Sequence, residues 1–167
     1  MEYHILLVDD EKAIHKLMSV FLAMNEKHAF TLHSARNGMT GVELYGKLAG
    51  DGLKPHLVLM DLRMPMMDGV EATKRIIEYD PEANVYLFTA YTRTEVEQDA
   101  LKAGAKGTLN KAANWHMTVD YIITILESAG QGPERCAFER IRDMQLHCHV
   151  NTVSVRDKGV VHNAKIS

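Results

Sequence analysis

Four residues of this chain are of types that can manage a charged oxygen group: Asp9, Asp10, Asp61 and Lys111. The two adjacent acids follow the apolar run Ile5–Val8. Asp61 closes a second run that starts at His56, and Lys111 comes just after a short segment, Gly107–Leu109. Carboxylates brought close together repel and raise one another's pKa. A divalent cation, which takes oxygen ligands, relieves that repulsion. Asp61 is then a candidate nucleophile, since a carboxylate can form a covalent intermediate, and Lys111 is the fixed counter-charge.

These residues meet only if the segments that carry them end on one edge of a sheet. The chain alternates apolar runs with amphipathic stretches five times. Ile5–Val8, Phe30–Ala35, His56–Asp61, Asn84–Phe88 and Gly107–Leu109 read as strands. The third run is continuously apolar, as a buried central parallel strand is. The second alternates with polar residues and reads as less buried. Between them lie helical stripes: Ile14, Leu17, Met18, Phe21 and Leu22 within Glu11–Asn25; Val42, Leu44, Tyr45 and Leu48 within Met39–Leu48; Val70, Thr73, Ile76 and Ile77 within Val70–Tyr79. Glu95–Ala103 is a weakly apolar helix closed by Gly104. Trp115, Val119, Ile122, Ile123 and Leu126 give the last helix a strong stripe. Strands alternating with helices of this length predict an α/β fold, a parallel sheet with helices on both faces. In such sheets the strands' carboxyl ends line the functional crevice.

The bulk numbers agree with a globular domain. Of 167 residues, 46% are hydrophobic and 25% charged, which is ordinary. Net charge is −3, so nothing drives the chain as a whole toward nucleic acid or anionic lipid. Residues 1–130 hold 13 Lys+Arg against 18 Asp+Glu, and residues 131–167 hold 6 against 4. No apolar run reaches the roughly 18 residues of a membrane span. The start lacks the basic region of a signal peptide. Two cysteines, Cys136 and Cys148, make no disulfide framework, and the reading is cytoplasmic.

A break at Ser128-Ala129-Gly130-Gln131-Gly132 divides the chain into a domain over 1–130 and an extension over 131–167. Phe138, Ile141 and Met144 share a helical face there. The later valines, Val150, Val153, Val155, Val160 and Val161, suit a hairpin around Asp157-Lys158-Gly159. About 35 residues cannot bury a core alone. Three roles stay open for this piece: docking or dimerising as a hairpin, disorder with some helix, or the start of a helix-turn-helix. Cys136, His147, Cys148, His149 and His162 include zinc-ligand types. Neighbouring residues of a strand point to opposite faces, which argues against one clamp at His147–His149.

Leu6-Leu7-Val8-Asp9-Asp10-Glu11, then Leu59-Met60-Asp61-Leu62-Arg63-Met64-Pro65-Met66-Met67-Asp68-Gly69, Phe88-Thr89-Ala90, and Gly104-Ala105-Lys106-Gly107 running on to Lys111 occur in this order. Over residues 3–128 the chain thereby resembles the receiver domain of two-component response regulators. The resemblance implies a flavodoxin-like sheet of order 2-1-3-4-5. It implies a phosphoryl group passing from a histidine kinase, or a phosphotransfer protein, onto Asp61 in a reaction that needs Mg²⁺. By the family's pattern Asp10 and Asp61 are direct cation ligands, Asp9 acts mostly through water, and the backbone carbonyl of Arg63 adds an oxygen. Lys111 and Thr89 bind the phosphoryl oxygens, and the small Ala90 exposes its backbone N–H. The output it implies is a population shift toward an active conformer that changes association with a downstream protein or a second copy. The resemblance implies no substrate beyond the protein's own phosphorylation and dephosphorylation.

Two positions depart from the family's usual residues. Ala112 stands where proline usually follows the lysine, and the default there is a trans bond. Thr108 stands where an aromatic switch residue usually lies. Tyr91, two residues past Thr89, is placed to screen a phosphoryl group from water. The departures keep alive a second reading, a receiver-like interaction module that switches without phosphate. A third, a Mg²⁺-dependent hydrolase on a similar sheet, lacks a recognisable acid or base and a pocket in the sequence.

Overall fold

The computed structural model describes residues 2–90, 94–111 and 114–129. The expectations that fall on Tyr91, on Ala112 and on residues 131–167 lie outside the described residues.

Five strands and five helices alternate: β1 (Glu2–Val8), α1 (Lys12–Ala23), β2 (Ala29–Ala35), α2 (Gly38–Gly50), β3 (Leu57–Met60), α3 (Gly69–Tyr79), β4 (Val85–Thr89), α4 (Glu95–Lys102), β5 (Gly107–Asn110) and α5 (Trp115–Ala129). The strands form one sheet of order β2-β1-β3-β4-β5, with every pair parallel. This is the doubly wound topology implied above.

The continuous run Leu57–Met60 is central, and all four residues have no exposed surface. At the sheet's edge only Ala35 of β2 is buried, as its alternation indicates. The first strand starts at Glu2, three residues before its apolar run. Pairing with β2, from Glu2↔Ala29 to Val8↔Ala35, sets that start, because edge hydrogen bonding needs no apolar side chains.

One face of the sheet presents Leu6, Val8, Val58 and Met60 to Tyr45 of α2 and to Ala72 and Ile76 of α3. A smaller cluster of Leu62, Leu87, Ala100 and Ala105 seats α4. On α5, Trp115 meets Phe88 of β4 edge-on at 6.0 Å and Phe21 of α1 at 5.8 Å. Truncating a fully buried side chain such as Met60 or Ile76 to alanine costs about 2–5 kcal/mol. Turn residues finish the helices. The side chains of Asn37, Asp68 and Thr94 accept from the backbone N–H of Thr40, Glu71 and Glu97 and cap α2, α3 and α4. Among the described residues, no helix is long and apolar enough to cross a membrane.

Candidate functional site

Because β1 and β3 are neighbours in register, with Val8 opposite Met60, the residues just past their ends meet. The Asp61 backbone N–H donates to the Val8 carbonyl at 2.9 Å, and the Asp9 N–H donates to the Ala35 carbonyl at 3.0 Å. Oxygens of Asp9, Asp10 and Asp61 consequently lie within 4.8 Å of one another. Asp9 has no exposed surface and Asp61 is 5% exposed, while Asp10 is half-buried.

Lys111 reaches the same spot from the end of β5, where its backbone N–H donates to the Thr89 carbonyl at 3.1 Å. Its ammonium stands 2.7 Å from Asp9 Oδ2 and 3.1 Å from Asp61 Oδ2, and 3.9 Å from the exposed Glu11. The other carboxylate oxygens are held by backbone. Asp9 Oδ1 accepts from the Glu11 N–H at 2.9 Å, and Asp61 Oδ1 accepts from the Leu62 N–H at 2.8 Å.

Burial pushes the Asp61 carboxyl above its ordinary range; Lys111 pulls it back, and Asp9 adds to the rise. Burial alone would lower the Lys111 ammonium, but the hydrogen bond to Asp9 and the charge of Asp61 override it and leave its pKa raised. The two directions have one origin. A single ammonium shared by buried carboxylates leaves excess negative charge in a place with little water. Asp9 Oδ2 is fully buried and shares the one Lys111 ammonium with Asp61. A hard divalent cation fits this set, because the donors are clustered carboxylate oxygens with unsatisfied charge.

Of the remaining expected residues, Arg63 follows Asp61 by two positions, and Thr89 joins Lys111 through its backbone carbonyl. Thr89 is fully buried at the end of β4. Ala90 is the exposed residue that follows it. Arg63 lies in the loop after Asp61 and is exposed. Thr108 lies in β5 opposite Leu87, and its buried hydroxyl oxygen has no hydrogen-bond partner.

Two residues to which the sequence reading gives no part also touch the acidic turn. His15 Nε2 lies 2.7 Å from the Asp9 carbonyl oxygen, and Arg36 Nη2 donates to the Asp10 carbonyl at 2.6 Å. A signal for His15 does exist. It lies four residues past Glu11, the N-cap of α1, and helical side chains lean toward the N-terminus, so its ring falls back over the turn. Nothing in the sequence marks Arg36.

Comparison with known proteins follows the same lines. A family described as the response regulator receiver domain matches residues 5–122. The chain is 34% identical over 126 residues to the chemotaxis protein CheY of Halobacterium salinarum, covering 75% of this chain and 98% of that one. It is 38% identical over 101 residues to the regulatory protein AtoC of Escherichia coli strain K12, covering 60% of this chain and 20% of that protein. The chain thus spans about a fifth of the AtoC relative and nearly all of the CheY relative. Among solved structures, a two-component response regulator of the LuxR family from Aurantimonas sp. SI85-9A1 superposes with a TM-score of 0.66 at 25% identity, covering 87% of this chain and 99% of that one.

Proposed function

Because this chain belongs to the family of response regulator receiver domains, we propose that it accepts a phosphoryl group on Asp61 from a phosphohistidine donor, in a Mg²⁺-dependent reaction in the cytoplasm. Receiver domains are signalling modules that work with histidine kinases, phosphotransfer proteins and downstream effectors. One observation carries the assignment to Asp61. Its carboxylate is nearly buried, faces the Lys111 ammonium at 3.1 Å, and shares its pocket with two further acids.

A carboxylate oxygen of Asp61 forms a bond to phosphorus, and the P–N bond of the donor imidazole breaks, its electron pair returning to the ring nitrogen. The product is an acyl phosphate. Such transfers depend on positioning and charge stabilisation. Lys111 meets the phosphoryl oxygens as a compact positive charge. The Thr89 hydroxyl and the Ala90 N–H donate to them. Asp10, Asp61 and the Arg63 carbonyl would hold the cation directly, with Asp9 acting through water. When bound, Mg²⁺ supplies positive charge beside the oxygens in flight. Hydrolysis of the acyl phosphate by water resets the protein.

The test is incubation of the full chain with Mg²⁺ and acetyl phosphate, followed by intact mass measurement. One phosphoryl group is gained by the parent and none by Asp61→Asn. Absence of any gain across donors and Mg²⁺ concentrations favours the second reading, an interaction module that switches without phosphate. One observation favours that second reading. Thr108 has no ring to rotate, so the phosphoryl group has no aromatic side chain at that position through which to act.

A further inference from the structure

The peptide planes on both sides of Asp10 are pinned by side chains. The Asp9–Asp10 plane is rigid and planar, and its carbonyl oxygen lies 2.7 Å from His15 Nε2. The Asp10–Glu11 plane is held at both ends. Its carbonyl accepts from Arg36 Nη2 at 2.6 Å, and its N–H donates to Asp9 Oδ1 at 2.9 Å. With both planes fixed, φ and ψ of Asp10 are fixed, and so is the direction of its Cα–Cβ bond. The Asp10 side chain itself appears in no hydrogen bond or ion pair among the described residues.

The His15 contact also fixes a tautomer. A carbonyl only accepts, so Nε2 must carry the proton. In the neutral ring Nδ1 is then an acceptor, and it lies 3.0 Å from Ser34 Oγ on β2, whose hydroxyl can donate to it. Ser34 orients His15, His15 holds the Asp9 carbonyl, and the carbonyl's plane aims Asp10. Metal sites are tuned by such outer contacts, whose loss typically costs 10–100-fold in affinity.

We infer that His15, oriented by Ser34, is a positioning residue that pre-aims Asp10 at the cation, so that it sets Mg²⁺ affinity without touching the ion or the phosphoryl group. This rests on the phosphoacceptor reading for the identity of the ion, and it assigns work to residues outside the acid cluster. His15 is chosen for the test over Arg36 because removing a fixed cation would itself favour Mg²⁺.

The experiment is calorimetric titration of the full chain with MgCl₂ at pH 8 for the parent, His15→Ala, His15→Gln, His15→Asn and Ser34→Ala. Gln carries an N–H where Nε2 lies, and Asn carries its amide where Nδ1 lies. His15→Ala and His15→Asn are expected to weaken Mg²⁺ binding about tenfold. His15→Gln should stay within about threefold of the parent, and Ser34→Ala should fall between. Phosphoryl gain from acetyl phosphate at saturating Mg²⁺ should be nearly unchanged in all of them, since the fault is in affinity and not in chemistry. Thermal melting in EDTA identifies any variant that fails to fold, and the exposed Ser34→Ala carries the test if His15→Ala does so. Parent-like Mg²⁺ affinity in folded His15→Asn and Ser34→Ala overturns the inference. A parent that binds Mg²⁺ but never gains a phosphoryl group overturns the phosphoacceptor reading and leaves the positioning result standing. A parent that binds no Mg²⁺ overturns both.

Discussion

The Lys111 ammonium stands 2.7 Å from Asp9 Oδ2 in a pair almost closed to solvent, with 7% of one side chain and none of the other exposed. An ion pair on the surface contributes little, but one without water cannot lose a partner cheaply. The same amine also faces Asp61, so it balances two acids.

Lys111→Met therefore strands two buried carboxylates. The metal-free protein should lose about 3 kcal/mol of stability, read by urea unfolding in EDTA. Added Mg²⁺ should restore part of the loss by binding only the folded form. A loss below about 1 kcal/mol would show that the amine is not an essential counter-charge.

Gly69→Ala tests how tightly the loop after β3 is folded against Asp61. A Cβ built at Gly69 overlaps the Asp61 carbonyl oxygen and lies 3.0 Å from Leu62 Cα, and the Gly69 N–H already donates to the Leu62 carbonyl at 3.1 Å. Backbone atoms cannot step aside as a side-chain tip can. The expected cost is about 2–3 kcal/mol, with slower phosphoryl gain from a displaced Asp61. Gly46→Ala, with open space around it, is the control and should be neutral or slightly stabilising in its helix.

How far the sequence revealed all this differs between elements. Leu57–Met60 is the most legible strand, because a parallel strand buried on both faces must be an apolar run. The carboxylates were legible because they end such runs. Lys111 was legible from the family's spacing more than from its own short strand. Hidden were the residues whose partners lie far away in sequence. Tyr45 read as an apolar stripe member, yet its hydroxyl donates to Asp80 at 2.6 Å, 35 residues on. Nothing in the sequence joins His4, His33 and His56, which the sheet order sets side by side. Hydrophobic periodicity reports which face is buried, not what a polar tip will find there.

Asp80 accepts from Tyr45 and also pairs with Lys54 at 2.6 Å. Burial pushes its carboxyl up, but the hydrogen bonds from Lys54 and Tyr45 outweigh that and hold its pKa below the ordinary value. A depressed carboxyl gives stability that is present above its unfolded value and lost as pH falls through the folded one. Asp80→Asn should cost about 1 kcal/mol at pH 7. The gap to the parent should close below about pH 3.8, seen in melting temperature against pH.

His33 and His56 should make the fold sensitive to mild acid. The His4 N–H donates to His56 Nδ1 at 3.0 Å, and His4 Nδ1 lies 3.1 Å from His33 Nε2. Each contact needs a ring lone pair, which an imidazolium lacks. Burial first, then the charge of His4, lowers the pKa of His33 and His56. The unfolded chain thus takes up protons more readily, and stability should decline as pH drops below about 6.5. The double variant His33→Gln, His56→Asn keeps an acceptor at both places and should flatten the melting profile between pH 7 and 5. An unchanged slope would place the acid sensitivity elsewhere.

The strand order has one more consequence. Asp9, Asp61 and Lys111 meet just past the ends of β1, β3 and β5, so the proposed chemistry makes no use of the opposite rim. The Asp51–Gly52 turn between α2 and β3 belongs to that silent rim, with Gly52 at φ +75° and nothing within 4 Å of its missing Cβ. A peptide tag or fluorophore spliced in at this turn would ride on the protein as cargo, leaving the business end of the molecule untouched.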